Sequence, residues 1–344
     1  MPARREPTLA DVAEAAGVSL TTVSRVLNNR GYLSQETRNR VAAAVSRLGY
    51  RPNQVARALH GKSTRSVGLI VPTVRLPFFG ELAEHVEDAL ADHGYQTFIC
   101  NSMGRADRER GYLDLLISHR VDGIISGAHN EDIPEYGTVR MPLVTVDRML
   151  SPDIPDVHCD NEEGGRVATT HLLTRGSRRP ALLTSRSGAH NMREAGYRSV
   201  LAEAGIEPVV LTADFHIPDA ERPGVIRERL DAVAHLIDAV FATDDLSAAD
   251  VLEWAVSRGL AVPEEFKVVG FDGTSAMRRA VPGLTTVQQP IARIAHRAVR
   301  ILLSQIQGSR VDSVDSSDED GKDQVRDQVI NLPLGVTLVE GRTA

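Results

Sequence analysis

The chain has 344 residues, a formal net charge of −7 and 42% hydrophobic residues. This length exceeds what one ordinary hydrophobic core supports, so two or three compact units are expected. The charge is divided unevenly, because residues 1–66 hold 11 Lys and Arg against 4 Asp and Glu, whereas the rest of the chain holds 28 against 42. A basic head on an acidic body indicates an anionic partner at one end only.

Several classes of protein are disfavoured by what the sequence lacks. No apolar run follows Arg4 and Arg5, and no stretch approaches the roughly 18 apolar residues of a membrane span, so neither a signal peptide nor a membrane anchor is expected. The two cysteines, Cys100 and Cys159, are far apart in the sequence and neither belongs to a C-x-x-C motif. This spacing predicts neither a disulfide nor a metal site, and it fits a protein of the reducing cytoplasm. No nucleophile elbow, P-loop, H-E-x-x-H or dinucleotide-binding motif is present, so we expect no enzyme activity, cofactor or metal.

The first segments with helical periodicity lie within residues 8–49. Thr8 is a predicted N-cap with Asp11 three residues on, and Gly17 ends this first helix. Ser19 caps a second helix after only a tight turn, and Ser34 caps a third that ends at Gly49. The predicted buried positions are Leu9, Val12, Ala13 and Ala16 in the first helix, Val23, Val26 and Leu27 in the second, and Val41, Ala44, Val45 and Leu48 in the third.

Three helices with a tight turn between the first two predict a helix-turn-helix, whose second helix enters the DNA major groove led by its N-terminal residues. The residues left on the outer face of this helix, and therefore predicted to face DNA, are Ser19, Leu20, Thr21, Thr22, Ser24, Arg25 and Asn28. An exposed leucine suits a thymine methyl group, and an arginine can reach guanine N7 and O6. Candidates for phosphate contacts are Arg4, Arg5, Arg38, Arg40 and Arg51. The alternative is an ordinary three-helix bundle with a polar face.

The segment NQVARALH at 53–60 is about two helical turns long, too short to persist as an isolated helix in water. TLADVAEAAGVSLTTVSRVLNN (8–29) followed by RPNQVARALHGKS (51–63) resembles the head and hinge of the lactose/galactose repressor (LacI/GalR) family. The resemblance implies that two hinge helices pair in the minor groove, with Asn53, Ala56 and Leu59 in contact with DNA and Leu59 wedged between base pairs. It also places Tyr32 near a neighbouring base or phosphate.

From Ser66 onward, short apolar runs such as SVGLIVP and KVVGFDG alternate with helical stretches such as ELAEHVEDALADHG (81–94). This alternation predicts parallel sheets flanked by helices. Eleven or twelve strands are too many for one small sheet, so two lobes are expected, with a ligand in the cleft at the carboxyl ends of the strands. The predicted fold is an N-terminal all-α helix-turn-helix head plus an α/β two-lobed effector domain, which the resemblance implies is periplasmic-binding-protein-like.

Acidic, basic and aromatic side chains cluster at the predicted strand ends, namely Phe78, Phe79, Asp147, Arg193, Phe215, Asp244 and Asp272. Carboxylates and a guanidinium with aromatic rings suit a ligand rich in hydroxyl groups, although each residue alone also fits a structural role. VTVDRM (144–149), NMREAGYRSVL (191–201) and VVGFDG (268–273) extend the resemblance, which implies that these residues line the effector pocket with Gln289 near its back. At the position of Asp244, several sugar-responsive members of the family have asparagine instead, so the hydrogen-bonding polarity there differs. Asp160 with Asn161 is expected to cap the helix that enters the second lobe.

The sequence therefore predicts a cytoplasmic, homodimeric transcription regulator, a repressor released from a palindromic double-stranded operator by a sugar-like effector, with no membrane partner. A corepressor mechanism with a purine-like or other small metabolite, a solute-binding receptor and an activator are the alternatives. The predicted domains are a DNA-binding head at 1–52, a hinge helix and linker at 53–65, and an effector-binding and dimerisation domain at 66–344. The Ser/Asp-rich stretch 311–328 is expected to be a disordered insertion, and the lack of a C-terminal leucine heptad favours a dimer over a tetramer.

Overall fold

The structure is a computed structural model that describes residues 7–27, 31–50, 63–128, 130, 133–147, 150–151, 153–214, 216–218, 220–308 and 333–344. The chain divides into two compact units, Met1–Thr64 and Arg65–Ala344. In the part of the chain described, no helix combines the length and the apolar composition needed to cross a membrane.

The first unit contains three helices, α1 (Leu9–Ala16), α2 (Leu20–Leu27) and α3 (Gln35–Leu48). The predicted N-cap of α1 is present and forms a reciprocal capping box. Thr8 Oγ1 accepts a hydrogen bond from the Asp11 amide, and the Thr8 amide donates one to Asp11 Oδ2. Gly17 follows in the left-handed conformation, at φ +63°. The core of this unit is small and is centred on Val12, Val23 and Val41, all 0% exposed.

Five residues predicted to be buried in this unit are only half-buried, namely Leu9 in α1, Val26 and Leu27 in α2, and Val45 and Leu48 in α3. Val26 and Leu27 pack against the edge of the small core rather than inside it. Three short helices cannot enclose every apolar position, because the surface of so small a unit is large relative to its volume.

The second unit begins with what we call the N lobe. Its elements are β1 (Ser66–Val71), α4 (Pro77–Asp92), β2 (Gln96–Asn101), α5 (Ala106–Ser118), β3 (Gly123–Ser126), β4 (Leu143–Val146) and β5 (Asp156–Val157). The five strands form a parallel sheet in the order β2-β1-β3-β4-β5. All six residues of β1 are buried, as expected for a strand covered on both faces.

The C lobe follows. Its elements are α6 (Asn161–Thr174), β6 (Pro180–Thr184), α7 (Met192–Ala204), β7 (Val209–Thr212), α8 (Arg222–Val233), β8 (Ala239–Ala242), α9 (Asp245–Ser257), β9 (Lys267–Asp272), α10 (Ser275–Ala280), β10 (Thr285–Gln288) and β11 (Thr337–Val339). The sheet order is β11-β10-β9-β8-β6-β7. The predicted two-lobed α/β fold is confirmed.

Helix α11 (Ile291–Ile306) returns the chain from the C lobe to the N lobe, where it packs against α4, β3 and β4. The chain then re-enters the C lobe, since Leu334 bridges to Cys159 before β11 begins. Because β11 starts beside the lobe junction, where the other strands of its sheet end, it runs antiparallel to β10 rather than parallel as predicted.

Candidate functional sites

The exposed face of α2 carries the residues predicted to meet DNA bases. Val23 is fully buried and fixes the rotation of the helix, so that Leu20, Thr21 and Arg25 are exposed, with Leu20 50% exposed. A single exposed leucine is ordinary on a protein surface, so this face is assigned to DNA by its place on the second helix of the motif and not by the exposure of Leu20. Tyr32, between α2 and α3, is fully exposed.

Two of the predicted DNA-facing hydroxyl groups contact each other at the start of α2. Ser19 Oγ accepts a hydrogen bond from the Thr22 amide at 3.1 Å and lies 2.9 Å from Thr22 Oγ1. Both residues therefore serve the helix cap, while Ser24 is half-buried. Asn28, Asn53, Ala56 and Leu59 lie outside the described residues, and their roles stay predictions.

Helix α3 is tied to α1 by Arg47, whose Nη2 donates to the Ala15 carbonyl at 3.1 Å. Of the arginines predicted to contact phosphates, Arg40 is exposed on α3 and Arg38 is half-buried, whereas residues 4, 5 and 51 are outside the described residues.

The second candidate site is the cleft where the strands of both sheets end. Asp147 directly follows β4 of the N lobe and Asp272 ends β9 of the C lobe. Both have left-handed backbones, at φ +65° and +103°, which aspartate tolerates better than most residues but at a cost of about 1–3 kcal/mol. Gly273 follows at φ +60°, and a Cβ there would lie 2.7 Å from the Gln288 Cα, so only glycine fits.

Arg193 connects the two strand ends. Its Nη2 lies 3.6 Å from Asp147 Oδ1, and its Nη1 lies 3.8 Å from Asp272 Oδ1. Its Nε donates to Asn161 Oδ1 and its Nη1 to the Thr243 carbonyl, both at 2.7 Å. The guanidinium thus joins one carboxylate from each lobe.

The face of this guanidinium is also in contact, since its carbon lies 3.8 Å from the centre of the buried Phe271 ring. Gln289, 2% exposed, completes the cluster by donating from Nε2 to Asp272 Oδ1 at 2.8 Å. We call Asp147, Asn161, Arg193, Asp272 and Gln289 the cleft cluster.

Close packing of α6 against α7 places Arg193 next to Asn161. A Cβ on Gly165 would lie 2.2 Å from the Arg193 carbonyl oxygen, and a Cβ on Gly196 would lie 2.0 Å from the Glu162 carbonyl oxygen. The two helices therefore touch backbone to backbone, which only glycine permits. This approach brings the first turns of the two helices together at the cleft.

Burial dominates the electrostatics of the C-lobe side of the cleft. Burial raises the pKa of Asp272 well above its ordinary value, although Arg193 opposes the shift. Burial also raises the pKa of Asp245 to about 6, against hydrogen bonds from Thr286 Oγ1 and the Gly273 amide.

Several buried side-chain atoms of the described residues have no hydrogen-bond partner, and two of them, Asp147 Oδ1 and Gln289 Oε1, belong to the cleft cluster. Both are acceptors; Asp147 Oδ1 faces the Arg193 guanidinium at 3.6 Å, beyond hydrogen-bond distance, so each atom can accept a hydrogen bond from a bound molecule. The cluster is suited to binding a molecule that offers hydroxyl or amide protons.

The comparisons with known proteins agree with this architecture. Residues 8–53 match the model of bacterial regulatory proteins, lacI family, and residues 169–319 match the periplasmic binding protein-like domain. The sucrose operon repressor of Streptococcus mutans is 41% identical over 305 residues, covering 87% of this chain and 92% of the relative. The chain belongs to the LacI family.

This membership confirms the resemblance found in the sequence and makes the protein a DNA-binding transcription regulator. The ribose operon repressor of Halalkalibacterium halodurans is 38% identical, covering 89% of this chain and 92% of the relative. Among solved structures, the lac repressor dimer bound to operator and the anti-inducer ONPF superposes with a TM-score of 0.80 at 26% identity, covering 98% of this chain and 99% of that one.

Three further residues predicted to bind the effector have packing or capping contacts in this LacI-family chain. Phe78 and Phe79 touch edge to face at 5.0 Å between ring centres and both are 4% exposed, and their place in the effector pocket stays a prediction. Asp244 caps α9 by accepting from the Ser247 amide and hydroxyl, both at 2.7 Å. Phe215 is outside the described residues.

The sequence analysis did not predict the contacts that three residues make near the cleft, namely Asn161, Arg222 and Glu81. Asp160 caps α6 as predicted, accepting from the Glu163 amide at 3.0 Å, but Asn161 orients Arg193 instead of capping. Arg222 lies 4.0 Å from Asp244 Oδ2 and carries no motif that marks it. Glu81 Oε2 accepts from both the amide and the hydroxyl of Ser275, each at 2.8 Å, which links α4 of the N lobe to the start of α10 in the C lobe.

Proposed function

We propose that this protein is a homodimeric repressor that acts in the cytoplasm, binds a near-palindromic operator and releases it when a small sugar or sugar derivative binds the cleft. In this proposal residues 1–52 bind DNA, 53–65 form the hinge, and 66–344 bind the effector and dimerise. The observation that carries it is the guanidinium of Arg193 between one carboxylate of each lobe.

The cleft cluster supports an effector that bridges the lobes. The distance of 3.6 Å between Arg193 Nη2 and Asp147 Oδ1 is too long for a hydrogen bond. A ligand hydroxyl that contacts both groups would accept a hydrogen bond from Arg193 of the C lobe and donate one to Asp147 of the N lobe. Binding that favours one arrangement of the lobes by about 1–3 kcal/mol suffices for allosteric coupling. Relatives named as sucrose and ribose operon repressors support a sugar as this ligand.

The edge of the N-lobe sheet supports a homodimer. Phe98 and Ile99 on the edge strand β2 are 47% and 49% exposed. Because neighbouring residues of a strand point to opposite faces of the sheet, both faces of β2 are partly uncovered at this point. Met103, Leu115 and Ile117 are 40–45% exposed on the segments that follow. An uncovered apolar edge strand invites pairing or coverage, and a second copy of the chain would supply it.

The head supports operator recognition. Leu20, Thr21 and Arg25 would contact base edges in the major groove, and a dimer would place two such helices on half-sites about one helical turn apart or a multiple of it. Phosphate contacts by arginines would make the affinity fall steeply with salt.

Selection of bound duplexes from a random library by the purified full-length protein tests the proposal. We expect a near-palindromic consensus. Fluorescence anisotropy on that duplex should then show the Kd rising about 5–150-fold with sucrose, fructose or ribose, the usual range of allosteric coupling. Arg25→Ala should abolish the sequence preference, whereas Glu14→Ala, at an exposed position on α1, should retain it. Absence of a consensus refutes the DNA-binding role, and a sugar that tightens binding would identify a corepressor instead.

A further inference from the structure

A groove outside the cleft lies between α6 and β11, the edge strand of the C-lobe sheet. Its volume is about 390 Å³, within the usual range of small-molecule sites, and it is lined by side chains of α6 together with Leu338 of β11. None of the cleft-cluster residues lines it. Asn161 of the cleft cluster begins α6, and His171 of the groove lies about 15 Å further along the helix axis. The groove is therefore a separate candidate site.

Arg166 presents an unused edge of its guanidinium group at this groove. Its Nη1 donates hydrogen bonds to Ser199 Oγ at 2.6 Å and to Glu203 Oε1 at 3.0 Å. Within the described residues, Nε and Nη2 make no hydrogen bond, and Glu163 Oε2 lies 3.9 Å from Nε. These two nitrogens are a parallel pair of donors that matches a planar carboxylate. The edge can therefore bind the carboxylate of a ligand through two hydrogen bonds.

The second polar group of the groove is a buried imidazole. His171 is 8% exposed, and its Nε2 has no hydrogen-bond partner among the described residues. A buried polar atom without a partner is destabilising, and folded proteins pair nearly all such atoms. Nε2 is a donor in one neutral tautomer and an acceptor in the other, and a hydroxyl group can pair with either. A ligand hydroxyl therefore suits His171.

The distance between these two groups and the surface around them define the rest of the ligand. Arg166 and His171 are five residues apart on α6, which corresponds to a rise of about 7.5 Å. Val167 and Leu338 supply apolar surface in the same groove. An aromatic ring holds two polar substituents rigidly at such a separation and buries its own apolar area against aliphatic side chains.

We propose that the groove between α6 and β11 binds a hydroxylated aromatic carboxylate. The carboxylate accepts hydrogen bonds from Arg166 Nε and Nη2, the ring packs against Val167 and Leu338, and the hydroxyl pairs with His171 Nε2. The site does not depend on the proposed sugar effector, because it shares no residue with the cleft cluster.

Isothermal titration calorimetry of the full-length protein with three probes tests the inference. The probes are 4-hydroxybenzoate, benzoate, which lacks the hydroxyl, and 4-hydroxybenzamide, which lacks the charge. We expect 4-hydroxybenzoate to bind and each of the other two to bind about tenfold or more weakly, the effect of losing a hydrogen bond to a charged or buried group. Equal affinities for the three compounds, or binding by none of them, would overturn the proposal and leave the proposed sugar response untouched.

Substitutions assign the two ends of the ligand. Arg166→Gln should remove the preference for the carboxylate over the amide, and His171→Leu should remove the preference for the hydroxylated ring over the plain one. The matched controls, Arg198→Gln at an exposed position of α7 and His235→Leu at an exposed position before β8, should keep both preferences. Wild-type preferences in Arg166→Gln would overturn the proposal, and this result decides the matter if thermal unfolding shows that His171→Leu does not fold.

A cleft variant distinguishes this groove from the lobe junction. Arg193→Lys should bind 4-hydroxybenzoate as tightly as the wild type does, because Arg193 does not line the groove. Loss of binding in Arg193→Lys together with intact binding in Arg166→Gln would place the compound in the cleft and overturn the proposal.

Discussion

Replacing Arg193 by alanine removes the guanidinium that lies between two buried carboxyl groups. The side chains of Asp147 and Asp272 are 11% and 14% exposed, so neither is solvated when its partner is lost. Two hydrogen bonds from a charged donor also disappear, to Asn161 and to the Thr243 carbonyl. At about 1.5–3 kcal/mol each, their loss is similar to the roughly 3–5 kcal/mol that breaking a buried ion pair costs. We expect the free energy of unfolding to fall by about 3–5 kcal/mol.

Differential scanning calorimetry measures this loss. With about 2–4 °C per kcal/mol for a large domain, the Tm of the effector domain should fall by roughly 6–20 °C. Arg227→Ala is the control, because Arg227 pairs with Glu253 in the same lobe but the two side chains are 46% and 71% exposed. Such exposed pairs contribute about 0–1 kcal/mol, so the control should shift the Tm by only a few degrees.

A double substitution separates lost charge pairing from lost packing. Asp147→Asn added to Arg193→Ala removes one stranded charge and should recover part of the lost Tm, which a packing defect would not allow. Arg193→Lys keeps the charge but cannot reproduce the planar array of donors, so it should fold and still lose the sugar response while operator binding remains. A Tm for Arg193→Ala equal to that of Arg227→Ala, together with an intact sugar response, would refute the reasoning.

Three further substitutions test other parts of the domain. Tyr197→Phe removes a hydroxyl that donates to the first carbonyl of β6 at 2.9 Å and accepts from the first amide of β7 at 3.0 Å, so urea denaturation should show a loss of about 1–3 kcal/mol, and an unchanged midpoint would contradict this. Burial raises the pKa of Asp245 to about 6, so the folded protein binds this proton more tightly than the unfolded chain and stability falls as pH rises from about 4 to 6, by about 3 kcal/mol. Asp245→Asn should flatten that part of the stability curve, and identical pH slopes for the two proteins would rule out the assignment. Glu81→Ala removes the acceptor of both Ser275 hydrogen bonds between the lobes, and the sugar Kd measured by calorimetry should rise about 5–30-fold, while Glu84→Ala on the exposed face of α4 should leave it unchanged.

Local signals in the sequence predicted most of the elements correctly. The capping box of Thr8 and Asp11 and the left-handed Gly17 depend only on neighbouring residues, so the start and end of α1 could be identified without any tertiary information. The continuous apolar run Ser66–Val71 likewise predicted a strand buried on both faces. Asp147, Arg193, Asp272 and Gln289 were all singled out from strand ends or from the family resemblance, and the structure brings them together.

Other features depended on contacts between distant parts of the chain. Asn161 was expected only to support a cap, yet it orients Arg193, because Gly165 and Gly196 let α6 and α7 approach backbone to backbone. The antiparallel direction of β11 could not be predicted either, since it follows from the return of α11 to the N lobe and the bridge between Leu334 and Cys159.

The sequence by itself determined the helix caps, the buried strands, the basic helix-turn-helix head and the family, because each depends on residues within one or two turns or on a contiguous motif. Only the tertiary structure decided which charges neutralise one another at the lobe junction. Arg193 is 46 residues from Asp147 and 79 from Asp272 in the chain, and their pairing depends on how two sheets and two glycine-packed helices converge. Such long-range geometry has no local signature, because the free energy that favours it comes from burial of surfaces contributed by many separate segments.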